Sequence, residues 1–313
     1  MKKSFQKSLI AASVGVAMLA AVGTASANSL IFPYFTTASG AQSVISLSNT
    51  GATAPGKIHY VYNYGPNCTH FDAYGTLTTN DILTHSIASP AAGGFGKAVG
   101  SDTSSGVFLP LANQTGFLVV SHQVAGAGSI AGSSNLNALR GSMAIVDPAT
   151  GLVVSYPGVD NKLDTSIAAN EGNYAALTDI NFPLTALPVG LVNTSFYTVV
   201  AGDMSTVILA GADWKGNFTL NNNGQVFNND EVAFSGTVTK PITCLALLQA
   251  SDFATAAQAA AVGTNGGLIN VTATLPTLGA TGLIVSKIQT ILPSVGGVFG
   301  GKTLLHRENG PAL

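Results

Sequence analysis

The segment Lys57–Tyr64 reads KIHYVYNY and stops at Gly65-Pro66. Successive side chains of a pleated strand point to opposite faces, so its alternating aromatic residues share one face. Gly-Pro is a turn signal that ends the strand. The segment therefore predicts a β-strand with one aromatic face.

Similar short runs, rich in Val, Ile, Thr and aromatic residues and separated by Gly, Asn and Pro, recur along the chain. This spacing is typical of an antiparallel all-β domain and favours a β-sandwich. Asn221–Gly224 predicts a hairpin turn. The other predicted strands are Ser43–Ser48, Gly116–Ser121, Met143–Val146, Val153–Tyr156, Phe196–Val200, Val207–Ala210, Phe218–Leu220, Gln225–Phe227, Asp230–Thr239, Ile242–Leu248, Ile269–Ala273, Gly282–Ile291 and Lys302–His306.

Helix is expected at only two places. Ser251–Val262 predicts a helix with Ser251 as its N-cap and Gly263 as its stop, and Asn135–Arg140 predicts a shorter one. Pro157–Pro188 shows no β alternation and is predicted to connect two β-sandwich units. We place these units at residues 28–168 and 169–313, with an uncertain boundary near Ala169.

Charged residues are scarce. The 313 residues include 12 Lys or Arg and 14 Asp or Glu, or 8%, against about 25% in an ordinary soluble domain. Nucleic-acid binders, charge-laced helical bundles and coiled coils need many more charges, so these classes are excluded. Disorder is excluded as well, because it combines low hydrophobicity with high net charge.

Residues 1–27 have the pattern of a secretory signal peptide. Lys2, Lys3 and Lys7 form a positive region, an apolar run follows over Leu9–Val22, and Ala25–Ala27 is a small-residue cleavage site. The sequence therefore predicts export to the cell surface or the extracellular space, with the periplasm left open. Loss of three positive charges takes the net charge from −2 to −5 in the mature chain.

Cys68 and Cys244 are the only cysteines. An exported chain enters an oxidising compartment, so we predict that they form a disulfide; two separately buried thiols are the alternative. Such a bond would join the two halves of the chain.

Catalytic and nucleotide-binding motifs give no support to an enzyme. Gly296–Thr303 matches Gly-x4-Gly-Lys-Thr, but too few residues follow for the helix and strand of a P-loop domain, so no nucleotide is expected. The Gly-x-Ser-x-Gly, Ser-x-x-Lys and His-Glu-x-x-His patterns of common exported hydrolases do not occur. We predict a protein without catalytic residues.

Metal ligands are weakly indicated. His70 and Asp72 have the spacing of two that places side chains on one face of a strand, but a single pair does not make a transition-metal site. Oxygen-rich loops are better suited to calcium, although Asn and Asp also serve turns. The calcium candidates are Asp160, Asp164, Asp213, Asp230 and Glu231. No other cofactor is expected.

Leu30–Phe35 reads LIFPYF, and Ser43–Gly51 reads SVISLSNTG. This opening resembles that of exported, uncharacterised β-rich surface proteins of Gram-negative bacteria, and its strand followed by Asn-Thr-Gly resembles the early strands of immunoglobulin-like modules. The resemblance implies an immunoglobulin-like fold and an envelope location, and it transfers no catalytic residue.

Two functions follow as hypotheses. Charged edge strands guard β-proteins against association, and this chain has few charges, so we predict a structural or interaction protein that self-assembles as a surface layer, fibre or adhesin, or joins another envelope component. The alternative is a monomeric module that binds a carbohydrate or small ligand. Its candidate stacking residues are Tyr60, Tyr62, Tyr64 and Trp214, although the tyrosine face could instead pack against a second sheet.

Overall fold

The computed structural model describes residues 29–49, 56–87, 111–123, 139–147, 152–160, 174–175, 178–189, 192–202, 217–243, 245–275, 280–291 and 306–307. The strands in these ranges are β1 Ser29–Thr36, β2 Gln42–Asn49, β3 Gly56–Tyr64, β4 Thr69–Leu77, β5 Ile82–Ser86, β6 Thr115–Gln123, β7 Leu139–Asp147, β8 Leu152–Pro157, β9 Val159–Asp160, β10 Asn181–Ala186, β11 Val192–Gly202, β12 Asn217–Asn221, β13 Val226–Asn228, β14 Ala233–Phe234, β15 Thr239–Thr243, β16 Leu245–Gln249, β17 Gly267–Thr274, β18 Ala280–Ile291 and β19 His306–Arg307. An α-helix, α1, spans Ala256–Asn265, and short 3₁₀ segments cover Ala38–Gly40 and Ala250–Phe253.

The strands form four antiparallel sheets. The outer sheet has the order β5-β2-β7-β8, and the central sheet has the order β4-β3-β6-β1-β9. The third sheet has the order β16-β11-β18-β19, and the fourth contains β10, β17 and β12 to β15. The prediction of an antiparallel all-β sandwich with few helices is confirmed.

The central sheet is buried on both faces. Leu30 and Phe32 of β1 belong to a first core, which the central sheet shares with the outer sheet, whereas Ile31 belongs to a second core shared with the third and fourth sheets. Neighbouring residues of a strand face opposite ways, so burial of all three requires protein on both sides. In agreement, every residue of β1 is buried.

The second core contains residues from both halves of the sequence. Val61 and Phe117 of the central sheet lie in one cluster with Phe196 and Leu220. The division near Ala169 falls outside the described residues and stays a prediction.

Gly158 carries the chain from the outer sheet to the central sheet. It lies between β8 and β9, and its N–H donates to the Gly141 carbonyl at 3.0 Å. A Cβ atom here would lie 2.9 Å from Cζ of Phe32. The first core therefore packs directly against this backbone, which explains why the smallest residue occupies the position.

The predicted hairpin at Asn221–Gly224 does not form. Asn221 pairs with Thr272, and Val226 pairs with Ile269, and both pairings are antiparallel. Strands β12 and β13 therefore lie one after the other along the same edge of β17. The four residues between them form a bulge-like loop. Asn223 and Gly224 at its tip have positive φ, as expected for this residue pair.

The helix prediction was correct in place and wrong in its bounds. Thr255, rather than Ser251, is the N-cap of α1, because Thr255 and Gln258 form a reciprocal capping box. The helix runs through Gly263 and ends at Gly266, which has φ 76°.

Two other secondary-structure predictions were wrong. Pro157–Pro188 contains β10, in which exposed and buried residues alternate, and the two-residue strand β9. Leu139 and Arg140 belong to strand β7 rather than to a helix, because they pair with β2. The remainder of Asn135–Arg140 lies outside the described residues.

Candidate functional site

Edge strands are the part of this fold that most directly bears on association. Among the described strands, β5 and β8 form the two edges of the outer sheet, and β16 forms one edge of the third sheet. These three strands read ILTHS, LVVSYP and LALLQ, without Lys, Arg, Asp or Glu. Charged residues and interior prolines usually protect an edge strand from association, and these three strands contain neither.

Other edges carry such guards. β10 has Pro183 within the strand, and β15 has Lys240, whose ammonium group lies 2.9 Å from Asp252. The nine-residue edge strand β4 has Asp72 at its middle. Among the described edge strands, those of the outer sheet and β16 of the third sheet therefore lack the charged residues or interior prolines that other edges carry.

Asp72 is held between two histidines. His59 Nε2 lies 2.8 Å from its Oδ1, and His70 Nε2 lies 3.1 and 3.2 Å from its two oxygens. These hydrogen bonds, first that of His59 and then that of His70, hold the pKa of the Asp72 carboxyl well below its ordinary value. The Asp72 carboxylate on the β4 edge therefore stays ionised in acidic solution.

The register of the β3–β4 hairpin explains this cluster. Asn63 pairs with His70 and Val61 pairs with Asp72, so these side chains share a face with His59. The sequence identified His70 and Asp72 as a pair but could not add His59, because that requires the pairing of the two strands. Across the described ranges, no group of three or more His, Cys, Asp or Glu residues is arranged to hold a metal ion.

Two polar side chains beside this cluster are deeply buried. Asn63 and Ser121 are each 1% exposed, and their side-chain polar atoms have no hydrogen-bond partner within the described residues. Ser121 pairs with His59 across β6 and β3.

The tyrosines proposed as stacking residues lie in the first core. Tyr60 and Tyr62 are 0% and 2% exposed, and Tyr64 is half-buried against the same core. Tyr60 and Tyr62 therefore present no ring face to solvent. Their alternation reflects packing against the outer sheet, the alternative already open in the sequence. Trp214 lies outside the described residues.

Tyr62 instead contacts a buried histidine of β5. Its hydroxyl lies 3.0 Å from Nε2 of His85, and the His85 ring meets Tyr60 edge-on at a centroid distance of 5.0 Å. Burial lowers the pKa of His85 from 6.5 to about 3 and raises that of Tyr62. Both groups are therefore neutral at physiological pH.

Of the five calcium candidates, only Asp230 and Glu231 have side chains within the described residues. Asp230 accepts hydrogen bonds from the side-chain amides of Asn265, at 2.8 Å, and Asn228, at 3.4 Å. These bonds give its carboxylate a structural role in closing the loop before β14. Glu231 follows in a left-handed conformation with φ 63°. Asp160 is described only by its backbone, in β9, and Asp164 and Asp213 lie outside the described residues.

Cys68 is fully buried at the end of the β3–β4 turn, with φ 52°. It belongs to the second core, where Ile242 also lies and against which Leu245 packs. Residue 244 lies outside the described ranges, so the pairing of Cys68 with Cys244 stays a prediction.

The signal-peptide prediction also falls outside the described residues, which begin at Ser29. Within the described part of the chain, no helix is long and apolar enough to span a membrane. Comparison with known proteins gives no matching family model, no matching curated protein and no matching solved structure.

Proposed function

We propose that this chain is an exported structural protein of the cell surface or extracellular matrix and that copies of it assemble through their edge strands. The observation that carries the proposal is the absence of charge from β5, β8 and β16. An edge strand offers unpaired backbone N–H and C=O groups to any strand that approaches it, and charge is a main barrier to that approach.

The uneven distribution of charged residues among the edge strands supports the same function. Asp72 protects the longest edge of the central sheet, and its two histidines keep it ionised. Strand β5 itself contains no charged residue, although Asp81 lies immediately before it, and Ile82 at its start is 61% exposed. Uniformly protected edges would favour a monomer, whereas selective protection favours association through chosen strands.

The predicted export signal fits this role, because a secreted chain reaches the space where layers and fibres form. A carbohydrate-binding module has less support, since Tyr60 and Tyr62 are buried. An envelope partner other than a second copy would be recognised through the same edges.

Light scattering coupled to size exclusion, followed by electron microscopy, tests the proposal. The mature protein, residues 28–313, is measured over a wide concentration range, with calcium and with a chelator. We expect a mass that rises with concentration and ordered assemblies in the microscope. A constant monomer mass at every concentration, in both conditions, would refute self-assembly.

A further inference from the structure

The fourth sheet has one buried face and one polar face. Phe182 and Leu184 of β10 are buried in the second core, and so are Ile269 and Val271 of β17. Successive residues of a strand point to opposite faces, so the residues between them lie on the outer face of the sheet. That face carries exposed or half-buried amide and hydroxyl side chains, among them Asn181, Thr219, Asn221, Thr239, Asn270 and Thr272.

Four of these residues form a row across four strands. Asn181 of β10 pairs with Thr272 of β17. Thr272 pairs in turn with Asn221 of β12, and Asn221 pairs with Thr239 of β15. Neighbouring strands lie about 4.8 Å apart, so this polar row spans about 14 Å.

Side-chain hydrogen bonds connect the polar row. The Thr272 hydroxyl donates to Asn181 Oδ1 at 2.8 Å, and the Asn221 amide donates to the Thr239 hydroxyl at 3.3 Å. Asn223, in the loop after β12, donates to Thr272 Oγ1 at 2.7 Å. All three bonds are exposed, and one bond does not saturate an amide or a hydroxyl. The row can therefore bind a ligand, and its own bonds reduce the entropy lost on binding.

An apolar area adjoins the polar row along β17. Leu268 lies four residues before Thr272, on the same face, and pairs with Phe227 of β13. Both side chains are half-buried. Between them and the row, the Asn270 amide donates to Gln225 Oε1 at 3.2 Å. The face thus combines an aromatic ring with amides and hydroxyls, which matches a sugar ring, because a sugar has C–H groups on its faces and hydroxyls around its rim.

The polar row and its apolar area contain no charged residue. Two charged groups lie at the margin: the Asp179 carboxylate accepts from the Asn181 N–H at 3.0 Å, and the Lys287 ammonium donates to the Thr185 hydroxyl at 2.7 Å. A nucleic acid would require clustered Lys or Arg, and calcium would require carboxylate ligands. A purely apolar partner would leave the amides and hydroxyls without hydrogen bonds. The occupant that complements this face is neutral and rich in hydroxyl groups.

We propose that the outer face of the fourth sheet binds a neutral polysaccharide. The polar row bonds to hydroxyl groups of successive sugar units, and Phe227 packs against a sugar ring. This surface is separate from the buried Tyr60 and Tyr62, and the contact does not depend on self-assembly. It would attach the exported chain to a polysaccharide matrix.

Affinity electrophoresis on native gels that contain a soluble neutral polysaccharide measures this binding. The gels contain hydroxyethyl cellulose, galactomannan, arabinoxylan or dextran, and sedimentation with insoluble cellulose and chitin extends the panel. The mature protein, residues 28–313, is used throughout. We expect at least one of these polysaccharides to retard or co-sediment the wild type.

Substitutions in the polar row locate the site. Thr272→Val removes the central hydroxyl and keeps a β-branched side chain, and Asn181→Ala removes the amide at one end. Each should weaken binding about tenfold, because a bound sugar hydroxyl then loses its partner. Thr69→Val, at an exposed position of β4 in the central sheet, is the matched control and should bind like the wild type. Circular dichroism and thermal melting establish that each variant is folded.

The outcomes separate this proposal from the proposed function. If none of the six polysaccharides binds the wild type, the glycan site is refuted, whether or not the protein self-assembles. Binding that is unchanged in Thr272→Val and Asn181→Ala also refutes it. If these variants alter only the mass of protein assemblies in light scattering, the face is a contact between copies instead. Binding that both variants weaken and Thr69→Val retains supports the site, even if the wild type is a monomer.

Discussion

The buried histidine of β5 should make the protein sensitive to mild acid. In the folded chain, burial keeps the pKa of His85 at about 3, whereas its ordinary value is 6.5. Between these values the unfolded chain binds a proton that the folded chain excludes. The free energy of unfolding is therefore unaffected by His85 above pH 6.5 and falls as the pH drops from 6.5 toward 3.

The size of the effect follows from the two pKa values. The difference between 6.5 and about 3 corresponds to roughly 5 kcal/mol at about 1.4 kcal/mol per unit. At pH 4.5 the solution is two pH units below the pKa of this imidazole in the unfolded chain, so His85 alone should lower the free energy of unfolding by about 3 kcal/mol relative to neutral pH. Asp72 contributes at more acidic pH, since its pKa lies below its ordinary value of 3.8.

Urea unfolding of wild-type protein and His85→Phe, followed by circular dichroism from pH 7.5 to 4.5, measures this contribution. The variant loses the contact with the Tyr62 hydroxyl, at a cost of about 1–3 kcal/mol that does not depend on pH, but it should be less sensitive to acid. Tyr62→Phe breaks the same hydrogen bond and keeps the imidazole, so it should retain the wild-type pH dependence. Parallel curves for wild type and His85→Phe between pH 6.5 and 4.5 would refute the reasoning.

Three further substitutions test the packing, the helix start and the cysteine pairing. Gly158→Ala should lower the free energy of unfolding by about 1–3 kcal/mol, because its Cβ meets Phe32 at 2.9 Å; Gly263→Ala in α1, with no neighbour closer than 3.7 Å, should leave urea stability unchanged or higher. Thr255→Ala should cost about 1 kcal/mol through loss of the N-cap, and an unchanged urea midpoint would contradict the capping geometry. If Cys68 pairs with Cys244, peptide mapping without reductant will find their peptides linked, and Cys68→Ser will cost about 2–5 kcal/mol; two free thiols in the oxidised protein would exclude the bond.

Periodicity predicted most of the strands because many runs in this chain are themselves buried β-strands. Periodicity did not identify strands that contain residues unusual for a β-strand and form because they pair with a neighbouring strand. β4 contains Asp72 and Gly75 within its alternation, and β10 contains Pro183, which is tolerated because that position is exposed at an edge. Each segment is recognised as a strand only once its neighbour is known.

Local signals also failed where a side chain acts at a distance. The amide of Asn222 donates to the Phe253 carbonyl at 2.6 Å, and its oxygen accepts from Gly224 and Val238. These contacts hold the loop as a bulge between β12 and β13, although its sequence is typical of a hairpin. No pattern within the loop specifies a partner as far along the chain as Phe253.

The sequence alone predicted only part of the candidate interface. The absence of charge from the β5, β8 and β16 segments can be read directly from the chain. Their position at sheet edges depends on strand order, which periodicity does not determine. The sequence therefore predicted weak guarding in general, and the topology assigned it to particular edges.

Two physical causes of the low charge content must be kept apart. The central sheet is buried on both faces, and strands such as β1 have no solvent-facing side on which a charge would be stable. That cause does not extend to the start of β5, where Ile82 is 61% exposed. A lysine or glutamate could occupy position 82 in a monomer without a large desolvation cost. Under the proposed function, edge pairing between copies is the expected reason for the absence of charge there, because such a charge would then be placed within a β-junction.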